Sequence, residues 1–396
     1  MVAAARTLAR RENRSLYLVG GPVRDLSLGR PPRDMDMVLE SDTLDFARSL
    51  SEALGVPARI HERFGTATLP MPGGGSLDLA RSRREIYERP GALPRVEPAP
   101  IEEDLGRRDF TINAMALELA PGTRLLDPFG GKADLENRVV RMLHPGSPCD
   151  DPTRAFRAAR YANRLGFRIE TATRKWIAEA SGRGVFGAVS GDRLRRELRL
   201  LFSEKGRAGA VRLLRRLGLD REIDPALPRG ASILRRLSRS ERIADRHPGK
   251  TSWLLYLLTW TAGLEAADLR RLSRRLSLAG EEATRLRGWP DVLWTLRSES
   301  RGATSSGILA HGLSGDEMAA GAAALTGAAA RRLDRALAAL ETRLSIAGRD
   351  LLAAGLPAGP SIGRALQATL SARQDGKISR RQELAYALAA ARREAS

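Results

Sequence analysis

The sequence predicts an α+β protein: an α/β head of roughly 140 residues, then helices to the C-terminus. Two observations point there. Strand and helix signals alternate through the first part of the chain, and from Asp151 onward strand signals almost vanish under a helical periodicity rich in Ala, Leu and Arg. At 396 residues the chain is too long for one ordinary core, so about two to four domains are expected.

The elements of the head follow in order. Ser15 to Val19 is a short apolar run ending at Gly20-Gly21, and Pro22 opens a helical stretch, as proline does in a first turn. Met35 to Leu39 reads as a strand and Leu44 to Leu54 as a helix. Thr66 to Pro70 and Ser76 to Ala80 read as strands split by the Gly73-Gly74-Gly75 turn. The charged, proline-rich segment from Ala80 to Phe110 is expected to be a mobile loop. In the helical part, Pro225–Pro228, Pro248 and Pro357–Pro360 mark joints between subdomains.

Composition bounds the function. Apolar content of 42% supports packed cores. The single cysteine, Cys149, excludes an internal disulfide and a cysteine-cluster metal site, and fits a reducing cytoplasm. No apolar run precedes the first basic residues, so no signal peptide is visible, and the longest apolar stretch, Trp253 to Trp260, is too short to span a bilayer. No membrane partner is expected. The net charge of +19 is almost all arginine excess. It fits a polyanionic partner, and fits equally a GC-rich coding sequence.

The chemistry lies in Leu18 to Glu40. Gly20 and Gly21 let a phosphate approach the backbone at a helix start, and Arg24 lies one turn into that helix, where its fork can grip a phosphate. Asp34 and Asp36 are two apart on a strand, so both carboxylates face one side. A hard divalent cation relieves their repulsion, and carboxylate plus phosphate oxygens are the usual Mg²⁺ ligands. Such a site can activate a hydroxyl and neutralise a leaving pyrophosphate. Alone, an acidic pair of this kind reads as a solvated strand end; shortly after a GGxVRD turn it points to metal binding. Asp78 sits where a third carboxylate could reach the metals, or could simply end its strand. Asp151, Arg154, Arg157 and Arg160 lie along one broad helical face. An Asp can accept from the exocyclic amine of adenine or cytosine while Arg donates to a ring acceptor. Uracil and guanine would set a carbonyl against the Asp, at a cost of about 1–3 kcal/mol.

Four segments carry a resemblance: GGPVRDLSLGR followed after three residues by DMD, EEDLGRRDFTINAMA from Glu102, DPFGGKADLENRVVR from Asp127, and DDPTRAFRAARYANRLGF from Asp150. Together they resemble the class II tRNA nucleotidyltransferases and their bacterial poly(A) polymerase relatives, within the polymerase-β-like superfamily. The resemblance implies a catalytic head with a small mixed sheet over 1–143, and a helical neck that recognises the base over 144–205. A helical body over 206–340 and a tRNA-binding tail over 341–396 would follow. It implies Asp34 and Asp36 as catalytic metal ligands. It places Gly21, Arg24, Arg108, Arg157 and Arg160 at nucleotide-contacting positions, and makes Asp150, Asp151 and Arg154 the protein template. Asp109 and Asn113 read as supporting or structural residues. The partners implied are tRNA, ATP and CTP.

In the resembling family, enzymes that add only CC tend to lack a flexible basic loop after the head strand. This chain keeps one, with Arg81, Arg83, Arg84 and Arg89, which disfavours CC-only addition and leaves CCA and A-only addition open. The endings NAMA and AARYANRLGF, and the segment from Ala347 to Leu384, look closer to tRNA enzymes than to poly(A) polymerases. His61, His144, His247 and His311 are scattered, so no phosphohydrolase site is expected. The remaining alternatives are a poly(A) polymerase acting on general RNA ends and an RNA-binding protein with an inactive head.

Overall fold

A computed structural model describes residues 1–92, 94–119, 123–298, 304–310 and 312–395; His311 lies outside the described residues. The chain divides into two compact units, one formed by 1–193 with 216–222, the other by 194–215 with 223–396. The first gathers the residues expected for head and most of the neck, the second those of body and tail.

In the first unit a helix, α1 (Val2–Arg11), precedes β1 (Leu16–Val19), whose four residues are all buried. Gly20, at φ +69°, ends the strand and starts α2 (Gly21–Ser27), with Pro22 in its first turn. β2 (Met35–Leu39) leads to α3 (Thr43–Leu54). Asp42 caps α3 by accepting from the Leu44 amide at 2.8 Å, and Gly55 in the left-handed region ends it. Its buried face carries Phe46, Ala47 and Leu50; burying Phe46 or Leu50 contributes about 1.5–3 kcal/mol each.

β3 (Arg59–His61), β4 (Thr66–Pro70) and β5 (Ser76–Arg81) follow, and β8 (Ala116–Glu118) and β9 (Leu125–Leu126) complete a seven-stranded sheet ordered β3-β4-β5-β2-β1-β8-β9. The sheet is mixed: β2 runs parallel to β5, and its other neighbouring strands pair antiparallel. On β5, Leu77 and Leu79 are buried while Ser76 and Asp78 project to the other face. The register sets Asp36 beside Asp78, and Asp78 beside Thr68.

The segment from Ala80 to Phe110 departs from the mobile loop expected. It contains β6 (Arg83–Ile86) and β7 (Arg95–Pro98), paired antiparallel, then α4 (Ile101–Gly106). A cross-strand ion pair at 2.8 Å joins Arg84 to Glu97, and Ser82 Oγ donates to the Ala99 carbonyl. Paired strands read as a charged loop because their partners are each other rather than a hydrophobic face.

α5 (Gly131–Glu136), β10 (Val139–Val140), α6 (Ser147–Asp150), α7 (Thr153–Leu165), β11 (Arg168–Ile169) and α8 (Thr171–Gly182) close the unit. β10 and β11 form a short parallel pair.

The second unit is helical among its described residues. The apolar run noted in the sequence is the helix Leu254–Thr261, buried at every position, and Tyr256 stacks on Phe202 with ring centroids 5.7 Å apart. The proline joints fall between helices, Pro225–Pro228 before Ala231–Arg246, Pro248 after it, and Pro357–Pro360 at the start of Pro360–Gln374. Leu351, Ala365, Ala387 and Ala391 pack the C-terminal helices together. Among the described residues no helix is long and apolar enough to cross a membrane.

Gly75 is where the turn before β5 approaches the start of β2. Its φ is +91°, and a Cβ there would lie 2.2 Å from the Arg33 carbonyl oxygen and 3.2 Å from Asp34 Oδ1. Gly75→Ala is therefore expected to destabilise the first unit by about 1–3 kcal/mol, read as a lowered midpoint in thermal or urea unfolding.

Candidate active site

The sheet alternation that buries Leu77 and Leu79 puts Ser76 and Asp78 on the face shared with Asp36. Asp34 and Asp36 are both exposed. Asp34 Oδ1 accepts from the Ser76 amide at 3.0 Å, and Ser76 Oγ donates to Asp78 Oδ2 at 2.8 Å. Thr68 Oγ1 donates to the other Asp78 oxygen at 2.5 Å. Asp36 is open at its tip but crowded by protein around it. That crowding, with the negative charges of Asp78 and Asp34, outweighs Arg108 and Arg24 and raises its pKa.

Beside Asp36 opens a polar cavity of about 350 Å³. Gly21, Asp36, Arg108, Asp151, Arg154 and Arg157 line it, so six of the ten residues given a role in the sequence converge on one space. Asp34, immediately before β2, lies outside this lining. Arg24 and Arg160 are 4% and 7% exposed and are not among the lining residues. Arg24 is drawn inward by Asp25 at 2.8 Å and by Asn113 Oδ1, to which its Nη1 donates at 2.6 Å. Arg160 lies over the Tyr161 ring, 4.9 Å from its centroid.

The wall also holds residues whose roles the sequence understated. Asn113 donates to Asp109 Oδ1 at 2.9 Å, and Arg157 reaches Asp109 Oδ2 at 2.6 Å. Burial alone would raise the Asp109 carboxyl, but the Arg157 guanidinium and the Asn113 amide hold it below the usual carboxylate range. Asp104, fully buried, accepts from Arg107 at 2.7 Å and from Arg108 at 2.9 Å. Arg107 reaches on to Glu85 at 2.7 Å, and Tyr87 donates to the same carboxylate at 2.6 Å. Glu85, Tyr87 and Tyr161, all cavity residues, went unnoticed because an acid, an aromatic and a loop carry no spacing signal of their own.

Asp151 sits just before α7. Its Oδ1 accepts from the Thr153 amide and hydroxyl at 2.9 and 2.7 Å and from Arg193 at 2.5 Å, and among the described residues no hydrogen bond is formed to Oδ2. Arg154 Nη1 donates to Ser147 Oγ at 2.8 Å. Arg108 lies against the glycine turn: a Cβ on Gly20 would meet its Nη1 at 2.5 Å. Gly20 thus admits a cation to the start of α2, where backbone N–H groups also favour an anion.

A mixed sheet with an acidic pair beside a glycine-started helix and an arginine-lined cavity is the architecture of a nucleotidyltransferase. Residues 16–141 match the family model described as the poly A polymerase head domain. The chain is 38% identical over 273 residues to the A-adding tRNA nucleotidyltransferase of Geobacter sulfurreducens, covering 67% of this chain and 31% of that enzyme. It is 33% identical to the CC-adding tRNA nucleotidyltransferase of Deinococcus radiodurans over 95% of this chain and 89% of that one. The solved Thermotoga maritima CCA-adding enzyme complexed with tRNA superposes with a TM-score of 0.70 at 29% identity, covering 97% of this chain and 94% of that one. The chain belongs to the class II tRNA nucleotidyltransferases of the tRNA nucleotidyltransferase/poly(A) polymerase family. It spans only 31% to 45% of the length of its A-adding relatives.

The family implies dependence on a divalent metal ion, and the donors fit one. Asp34 and Asp36 offer exposed hard oxygen donors, and the Asp36 pKa, raised first by burial and then by Asp78 and Asp34, is a shift that a cation would offset. Among the described residues no group of three or more His, Cys, Asp or Glu could hold a metal ion. Both Asp78 oxygens accept hydroxyl groups, from Thr68 and Ser76.

The sign of the Asp36 shift has two measurable consequences. Ionising a carboxyl whose folded pKa is raised costs the folded state. Its favourable contribution is full below the unfolded pKa and is lost as pH rises through the folded value. At neutral pH and without divalent cation, Asp36→Asn is expected to raise the thermal midpoint. Added divalent cation should stabilise the parent and not the variant, and a lower midpoint for the metal-free variant would contradict this. In the metal-free parent, the Asp36 carboxyl should titrate above the usual carboxylate range, and added divalent cation should draw it down.

Proposed function

We propose that the chain adds nucleotides to the 3′ end of tRNA without a nucleic-acid template, using ATP and CTP, and builds either CCA or the terminal A alone. Asp34 and Asp36 would hold Mg²⁺, which when bound would lower the charge on the triphosphate and the pKa of the attacking hydroxyl. The 3′ hydroxyl of the RNA attacks the α-phosphorus, and the bond to pyrophosphate breaks as the new P–O bond forms. Arg108 and the start of α2 at Gly21 receive the phosphates. Arg157, held by Asp109, adds positive charge on the far wall. Arg24 and Arg160 act from behind as positioning residues.

The observation that carries this reading is Asp151. Its Oδ1 is taken by three donors, its Oδ2 makes no hydrogen bond among the described residues, and it lines the same cavity as Asp36. A carboxylate fixed on one oxygen can accept the exocyclic amine of adenine or cytosine on the other. Arg154, braced by Ser147, donates to the adjacent ring acceptor. Uracil and guanine would oppose one acceptor to another. Relatives named for tRNA favour tRNA over general RNA ends. The helical neck, body and tail over 144–205, 206–340 and 341–396 would grip it through phosphate and shape contacts, in the cytoplasm where tRNA matures.

Transcripts of tRNA lacking CCA and lacking only the final A, supplied with CTP and ATP, are expected to gain defined ends. Product sequencing that shows CCA on the first assigns full addition; A added only to the CC-ended tRNA assigns A-only addition. Long A tails on unrelated RNA would overturn the proposal. Asp151→Asn, which can turn a donor toward the base, is expected to lower the kcat/KM preference for ATP over UTP by roughly 10- to 100-fold. A parental preference would contradict the role of Asp151.

A further inference from the structure

We propose that Tyr161 is a positioning residue for triphosphate binding, holding the arginines behind and beside the cavity through its aromatic face rather than through charge. The inference rests on the nucleotide-binding reading above. Tyr161 lies on α7 and lines the cavity. Four guanidinium groups surround its ring. Arg164 lies 4.5 Å from the centroid, Arg160 4.9 Å, Arg24 5.3 Å and Arg157 5.8 Å. The buried Phe110 ring meets it edge-on at 5.5 Å and fixes its plane.

Three of these arginines come from α7 and one from α2, so the ring joins the two helices that flank the site. Like charges gathered at this range repel. Ion pairs attach two of these cations to carboxylates, Arg24 to Asp25 and Arg157 to Asp109. A carboxylate at position 161 would hold the cluster too, but it would cancel the positive field that an incoming triphosphate requires. An aromatic face attracts cations through its quadrupole and adds no net charge. Tyr161 thereby reconciles order with retained positive potential. Its hydroxyl makes no hydrogen bond among the described residues, which assigns the role to the ring.

The test compares the parent chain with Tyr161→Phe and Tyr161→Leu, and with Tyr161→Met as a second non-aromatic variant should the leucine variant fail to fold. ATP affinity is measured by equilibrium binding with Mg²⁺ and without RNA, beside the thermal midpoint of each protein. The phenylalanine variant is expected to bind ATP as the parent does. The non-aromatic variants are expected to bind roughly tenfold more weakly, with KM raised more than kcat is lowered and the preference for ATP over UTP kept. Parental ATP affinity in a folded non-aromatic variant overturns the proposal, as does a loss in Tyr161→Phe equal to that in Tyr161→Leu. A parent chain that binds no ATP sinks instead the nucleotide-binding reading on which it rests.

Discussion

Three elements meet at the buried Asp109 carboxylate. Its Oδ1 accepts from the Phe110 amide and from Asn113, its Oδ2 accepts from Arg157, and Asn113 in turn receives Arg24. A carboxylate fully enclosed by protein is costly unless its charge is met by a cation and its lone pairs by donors. Here both conditions hold, and they tie α2, the turn before β8 and α7 into one wall. The cavity exists because that wall is fixed in place. Removing any partner would leave a buried charge uncompensated rather than merely weaken a contact.

Asp104 repeats the device closer to the sheet. It is shared between Arg107 and Arg108, and both cations outweigh the burial that would otherwise raise its pKa. Arg107 is spent on holding Asp104 and Glu85, which leaves Arg108 beside the glycine turn. Adjacent arginines in the sequence thus divide their labour: one anchors the β6 strand to the core, the other faces the start of α2. The same economy explains the charged segment before them. Arg84 pairs with Glu97 across the hairpin, so part of its basic character maintains local structure and is not offered to RNA.

The metal side of the site follows a different logic. Asp34, Asp36 and Asp78 share a sheet face, and Asp78 is quieted by two hydroxyl donors while Asp36 is left with its pKa raised. Burial first, and then the charges of Asp78 and Asp34, raise the Asp36 carboxyl, and a bound cation would offset both effects.

Much of this was legible in the sequence, because it depends on local rules. Strand alternation put Asp34 and Asp36 on one face, glycine and proline marked the start of α2, and spacing of three placed Arg154 and Arg157 on one side of α7. Those rules are set by backbone geometry, which neighbouring residues share. The tertiary structure decided what depends on distant partners: that Arg24 and Arg160 turn inward, that the expected loop is a hairpin, that Asp109 is a hub, and that Tyr161 sits among four cations. Burial and pairing arise between residues far apart in the chain, and a sequence shows a side chain's charge without showing which opposite charge or ring it will meet.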